Sequence, residues 1–195
     1  MKIAIIDYGA GNVQSVKFAL NRLGFDGMLT NNPQEIINAD KVIFPGVGQA
    51  ETAMRKLRES GLDQIIPNLK QPVLGICLGM QLLCNFSEEG ETVGLDVFDV
   101  SVKRFSNEVK VPQIGWNSVQ NLQTDLFDGI SENEFVYLVH SYFAPVCKET
   151  IATSEYGNMY STALQKANFY GVQFHPEKSG KAGEKILFNF LKLRS

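Results

Sequence analysis

Between Val73 and Phe86 a strand-like apolar stretch passes directly into a helix-like one, and the joint reads Gly75-Ile76-Cys77-Leu78-Gly79. Glycine two positions before and two after a cysteine satisfies the G-x-[Ser/Cys]-x-G pattern of a nucleophile elbow. Such a turn is so tight that its flanking positions have to be small, and it holds the central residue in a strained backbone conformation. The side chain then stands clear of the sheet at the start of the next helix, where free N–H groups and the helix dipole favour a thiolate. A cysteine buried merely for packing has no need of two such glycines.

The neighbouring segments supply the sheet that this turn requires. Ile3–Ile6, Lys41–Phe44 (broken by Pro45-Gly46) and Val73–Ile76 read as buried strands. Helical patterns follow each: Val13–Leu23, with Asn12 as N-cap, an apolar face of Val13, Val16, Leu20 and Leu23, and Gly24 as the stop; Glu51–Glu59, ended by Gly61; and Leu78–Phe86. Strands separated by helices predict right-handed crossovers and a mostly parallel sheet with helices on both faces. The second half changes character. Val97–Phe105, Ser118–Leu122, Phe135–Ser141, Thr150–Tyr156 and Tyr160–Gln165 read as strands joined by turn-rich loops, before a strand at Asn168–Phe174 and an amphipathic helix at Ile186–Leu193. The expectation is one α/β domain over residues 1–195 with a smaller antiparallel elaboration in its second half.

Composition narrows the function classes. Eighteen Lys and Arg against 21 Asp and Glu give a net charge of −3, a poor match to nucleic acid or an anionic membrane. Cys77, Cys84 and Cys147 are too few, and odd in number, for a disulfide scaffold, so a reducing compartment is expected. Four apolar residues before Asp7 fall short of the roughly 7–15-residue core of a signal peptide, and no apolar run approaches the roughly 20 residues of a membrane span. A soluble, cytoplasmic protein is the expectation.

A thiolate nucleophile needs a proton carrier held in place by a third group. The chain has two histidines. His175 lies at the end of the strand in Gln173-Phe174-His175-Pro176-Glu177, with Glu177 in reach of its ring; strand ends at the carboxyl edge of a parallel sheet are where such sites assemble. His140, in Val139-His140-Ser141-Tyr142, has no acid within five residues, which favours His175. Acyl transfer also needs two donors for the oxyanion. The N–H of Leu78, next after the nucleophile, is one candidate, and the Pro45-Gly46-Val47-Gly48 loop can supply the other through Val47.

Two other chemistries find little support. Cys77 and Cys84 are seven apart, with no histidine at ligand spacing, so no metal site is expected. Gly9-Ala10-Gly11-Asn12-Val13-Gln14 approaches the dinucleotide fingerprint G-x-G-x-x-G, but Gln14 replaces the third glycine, and Asn31-Asn32 stands where an acid should hold the ribose.

Gly75-Ile76-Cys77-Leu78-Gly79-Met80-Gln81 together with Gln173-Phe174-His175-Pro176-Glu177 resembles the nucleophile and His-x-Glu segments of the class I (triad) glutamine amidotransferases. Asp7-Tyr8-Gly9-Ala10-Gly11-Asn12, Phe44-Pro45-Gly46-Val47-Gly48, Pro112-Gln113-Ile114-Gly115-Trp116-Asn117 and Glu155-Tyr156-Gly157 extend the resemblance almost end to end. It implies a three-layer α/β fold and a Cys77-His175-Glu177 triad that hydrolyses glutamine through a γ-glutamyl thioester. It further implies an oxyanion hole from the Val47 and Leu78 backbone, and glutamine contacts at Gly46, Gln81, Ser141 and Tyr142. The implied partner is a separate (βα)8-barrel cyclase subunit, forming a heterodimer through a face around Asn12, Trp116, Tyr137 and Lys178 and receiving the ammonia. No cofactor, metal, nucleic acid or membrane is implied.

Overall fold

The computed structural model describes residues 1–9 and 12–193. The first half alternates strand and helix: β1 (Ile3–Ile6), α1 (Val13–Arg22), β2 (Gly27–Thr30), α2 (Pro33–Ile37), β3 (Lys41–Gly46), α3 (Ala50–Glu59), α4 (Leu62–Ile65), β4 (Val73–Cys77) and α5 (Leu78–Leu83). Strands dominate thereafter: β5 (Cys84–Ser87), β6 (Thr92–Val93), β7 (Phe98–Arg104), β8 (Gln113–Val119), β9 (Glu134–His140), β10 (Tyr142–Pro145), β11 (Thr150–Tyr156), β12 (Asn158–Lys166) and β13 (Phe169–Val172), before α6 (Gly180–Lys192) closes the chain.

Eleven strands form one sheet in the order β2-β1-β3-β4-β13-β12-β10-β7-β5-β6, with β11 on β12. The five strands from β2 to β13 are parallel, and β12 runs antiparallel to β13 and carries the elaboration. β8 and β9 make a separate antiparallel ribbon. Side chains of the parallel strands alternate between two cores. Ala4, Ile6, Val42 and Phe44 pack with α3 and α5 on one face, while Ile3, Ile5, Ile43, Leu74 and Ile76 pack with α1, α6 and the β8–β9 ribbon on the other. That alternation explains why these strands read as continuous apolar runs: both faces are buried.

Several expected boundaries move. β3 does not break at Pro45 but runs on to Gly46, which pairs with Cys77. β1 covers only Lys41–Ile43 of it, so Pro45 falls where that side of the strand has no pairing N–H to lose. The helix expected through Phe86 ends at Leu83, and Cys84 opens a strand paired with β7; an apolar run of that length fits either period, and sheet pairing decides it. Cys84 therefore shares no helical face with Cys77. The strand expected at Ser118–Leu122 lies at Gln113–Val119, and α6 starts at Gly180 rather than Ile186. β2, α2 and β10 lie outside the expected elements. Asn12 stands at the N-cap position of α1 as expected, but its side chain makes no capping bond to the backbone; its Oδ1 accepts the Ser15 hydroxyl at 2.8 Å. Ala10 and Gly11 of the first loop lie outside the described residues.

The elbow itself forms as the two glycines require. Cys77 has φ +53° and ψ −111°. A Cβ on Gly79 would overlap the Phe44 carbonyl, and one on Gly75 would stand 2.8 Å from the Met80 nitrogen. Gly79→Ala has to push α5 off β3 at a backbone contact, so we expect it to cost about 3 kcal/mol or more in urea denaturation. A cost below about 1 kcal/mol would show that the turn has slack.

Candidate active site

β4 lies between β3 and β13 in the sheet, and the carboxyl ends of these strands deliver the chemistry. Cys77 ends β4 and is 7% exposed. β13 ends at Val172, and three residues later His175 is held by its own N–H, which donates to the Tyr137 carbonyl at 2.9 Å. The Ser179 hydroxyl donates to the His175 carbonyl at 2.7 Å and accepts the Tyr137 N–H at 2.9 Å, tying this turn to β9. Within the turn, Glu177 Oε1 lies 2.8 Å from His175 Nδ1. A carboxylate there fixes the proton on Nδ1 and leaves Nε2 for the thiol side. Burial pulls the His175 pKa down, but the Cys77 sulfur and the Glu177 carboxylate outweigh it and push the value up to about 10. The protonated form of the ring is thereby stabilised.

Gln173 Nε2 lies 3.6 Å from the Cys77 sulfur, with its Oε1 accepting Gln81 Nε2 at 2.9 Å. Gln81 Nε2 also donates to the Tyr142 carbonyl at 2.9 Å. A cleft opens over the sulfur, lined by Val47, Gly48, Leu78, Gln81, Glu89, His140, Ser141, Tyr142, His175 and Lys178. The sequence-expected residues Cys77, Leu78, Val47, Gln81, Ser141, Tyr142, His175 and Lys178 therefore meet at one place. Glu177 stands behind His175, and Gly46 stands behind the wall, pressed against the Gly79 nitrogen and the Tyr8 hydroxyl.

Of the remaining expected residues, Trp116 and Tyr137 lie on the outer face of the β8–β9 ribbon. Trp116, 56% exposed, meets Tyr137 edge-on at 5.9 Å across the β8–β9 ribbon, beside exposed Ile114 and Phe135. Lys178 is exposed at the cleft and Asn12 is half-buried. Trp116 is therefore not a core residue.

Glu89 and Gln173 escaped sequence reasoning. Glu89 is half-buried in the cleft wall, where its Oε2 accepts the Ala50 N–H at the start of α3 at 2.9 Å; burial raises its pKa and that N–H opposes the rise. Only the pairing of β5 with β7 brings it there, and no local motif announces it. Gln173 was visible inside the histidine segment, but only the fold points its amide at the sulfur.

His140 reaches the same cleft in the opposite state. Burial drives its pKa down to about 4, against the Tyr142 carbonyl at its Nδ1, with His175 adding to the drop. Cys84 is fully buried, and burial pushes its thiol pKa up; burial likewise raises that of Cys147. Among the described residues no group of three or more His, Cys, Asp or Glu side chains is placed to hold a metal ion, and no helix is long and apolar enough to cross a membrane.

The family model of class I glutamine amidotransferases matches residues 4–193. The imidazole glycerol phosphate synthase subunit HisH of Bacteroides fragilis is 56% identical, over 99% of this chain and all of that one. Its namesake in Haemophilus influenzae is 48% identical, with 98% of each covered. The fold is similar to a solved glutamine amidotransferase at a TM-score of 0.77, with 16% identity and 98% of each chain covered. It is similar also to a glutamine amidotransferase of Thermotoga maritima at 0.66, with 19% identity, 98% of this chain and 82% of that one. At such identities the structural likeness concerns the fold alone.

The two histidines give stability a maximum in pH. A folded pKa depressed from 6.5 to about 4 at His140 contributes stability that is present above pH 6.5 and lost as pH falls towards 4, roughly 3 kcal/mol in all. A folded pKa raised at His175 contributes stability that is present below pH 6.5 and lost as pH climbs towards 10. Urea denaturation should therefore give a maximum near pH 6.5, with the acid limb flattened in His140→Phe and the alkaline limb in His175→Ala. Unchanged limbs in both variants would contradict these assignments.

Proposed function

The chain belongs to the class I glutamine amidotransferases, and we propose that it works as the glutamine-hydrolysing subunit of imidazole glycerol phosphate synthase. Full-length relatives of that name at 45–56% identity support the assignment. The observation that carries the chemistry is the 2.8 Å bond from Glu177 to a buried His175 whose protonated form is stabilised by the sulfur of Cys77. One glutamine amidotransferase domain covers residues 1–195, in keeping with the match over 4–193.

In this reading Cys77 is the nucleophile. Its sulfur attacks the γ-carbonyl carbon of glutamine, and the His175 imidazolium returns a proton to the leaving ammonia. The γ-glutamyl thioester is then hydrolysed by water, with His175 as base, giving glutamate. Glu177 holds the ring and its tautomer. The Leu78 and Val47 N–H groups receive the oxyanion, each such donor being worth roughly 10²–10³ in rate. Gln81 and the backbone at Ser141 and Tyr142 hold the substrate, with Gly46 supporting the wall from behind. Glu89, a carboxylate in the cleft wall, takes the α-ammonium group.

The subunit works in a complex with a cyclase subunit. That partner is a (βα)8 barrel bound in a heterodimer, and the ammonia passes to it to make imidazole glycerol phosphate and an aminoimidazole carboxamide ribonucleotide in histidine biosynthesis. Asn12, Trp116, Tyr137 and Lys178 form the docking face. An exposed Trp116 packed edge-on against half-buried Tyr137, next to the turn that carries His175, is suitable hot-spot material. Three unpaired cysteines suit a reducing cytoplasm.

Cys77→Ser in the assembled complex should abolish synthesis from glutamine while synthesis from added ammonium salt persists, because the two steps reside on different chains. His175→Ala should behave alike. Steady-state assays with either nitrogen source decide it. Loss of both activities in a folded complex contradicts the division of labour, and glutamine-dependent turnover by Cys77→Ser contradicts the nucleophile.

A further inference from the structure

Next to the cleft runs a buried hydrogen-bond chain that thioester chemistry does not use. Gln113 opens β8, Tyr160 lies on β12 and His140 ends β9, and all three are buried. The Tyr160 hydroxyl lies 3.1 Å from Gln113 Oε1 and 3.5 Å from His140 Nε2, and His140 Nδ1 lies 2.8 Å from the Tyr142 carbonyl. The rings of Phe105 and Tyr160 flank the imidazole at 5.2 and 5.4 Å. A carbonyl oxygen only accepts, so Nδ1 carries the ring proton and Nε2 is the bare nitrogen facing the Tyr160 hydroxyl. The Nδ1 bond specifies the tautomer and the flanking rings specify the ring plane, while the Tyr160 hydroxyl donates its proton to Gln113 Oε1.

The Tyr142 carbonyl is the point where this chain meets the site. It accepts His140 Nδ1 at 2.8 Å and Gln81 Nε2 at 2.9 Å, which uses both of its lone pairs. The adjoining Ser141 carbonyl accepts the Phe105 N–H at 3.1 Å. The Ser141–Tyr142 backbone that walls the cleft is thus held from several sides by groups that do not themselves react.

We propose that His140 is a positioning residue for glutamine binding: through Nδ1–H it fixes the Tyr142 carbonyl and so sets the Ser141–Tyr142 wall against which the substrate lies. This rests on the glutaminase reading of the cleft. His140 acts on recognition and not on bond making. The flanking Phe105 and Tyr160 rings keep the imidazole from rotating, which is why a ring serves where a simple donor could turn away.

Two polar variants of His140 separate its nitrogens in the complete complex. In His140→Asn the amide nitrogen falls close to the position of Nδ1, so the bond to the Tyr142 carbonyl can be kept. In His140→Gln the amide falls near Nε2, which keeps a polar group beside Tyr160 and loses the bond to the Tyr142 carbonyl. His140→Gln should raise KM for glutamine about tenfold or more while kcat stays within about threefold, the loss of one buried hydrogen bond. His140→Asn should remain within about threefold of the parent in both constants. Cys77 should react with iodoacetamide at the parent rate in both variants. A diazoketone analogue of glutamine should saturate at correspondingly higher concentration only in His140→Gln. Should His140→Gln not fold, His140→Leu gives the same reading. Equal KM increases in the two variants, no increase in either, or a fall in kcat at unchanged KM overturns the proposal. If the parent reacts with iodoacetamide but not with the diazoketone, it is the glutaminase reading that fails.

Discussion

Backbone meets backbone where α5 crosses β3, and the site follows from that approach. Gly79 lies against the Phe44 carbonyl, Gly75 against the Met80 nitrogen, and Gly46 against the Gly79 nitrogen, so that no side chain separates the helix from the two strands beneath it. This closeness forces Cys77 into a positive φ that costs roughly 1–3 kcal/mol. The parallel strands on either side, buried on both faces, hold it there. The return is directional. Cys77 ends β4, pairs with Gly46 at the start of the Gly46–Gly48 loop, and stands one strand from the segment that carries His175. Three chemical groups far apart in sequence are placed by one tight turn and two strand pairings.

Environment then assigns opposite states to two histidines that face one cleft. His175 has a carboxylate at Nδ1 and the Cys77 sulfur beside it, and these stabilise the charged form against burial. His140 has a carbonyl at Nδ1, aromatic rings around it and no acid, so burial prevails and the ring stays neutral. The charged ring can deliver a proton to a leaving group, and the neutral one can only hold what it touches. Environments that push like groups apart in pKa are how one site obtains distinct roles from the same side chain.

The parts of this arrangement that were legible in the sequence are those enforced locally. Gly75, Gly79 and the acid two residues after His175 answer to turn geometry and side-chain reach, and the structure brings them together as read. The continuous apolar strands were legible because a parallel sheet buries both faces. β5 is not legible in the sequence, because its apolar residues fit a helix as well as a strand, and only pairing with β7 decides. β8 was displaced because one of its faces is turned outward, with Ile114 and Trp116 exposed among polar neighbours, so neither alternation nor a continuous apolar run marks it. Glu89 and the Gln113–Tyr160–His140 chain depend on contacts between distant segments, for which a single sequence holds no local signal.

The central claim is that the elbow presents Cys77, and no other thiol, as the nucleophile of an acyl transfer. Acid quenching during steady-state hydrolysis of glutamine, followed by peptide mass mapping under conditions that preserve thioesters, addresses it directly. The account predicts a glutamyl adduct on the peptide containing Cys77, with Cys84 and Cys147 unmodified. Sustained turnover with no adduct at Cys77 under conditions that trap it elsewhere, or an adduct on either other cysteine, would contradict the account.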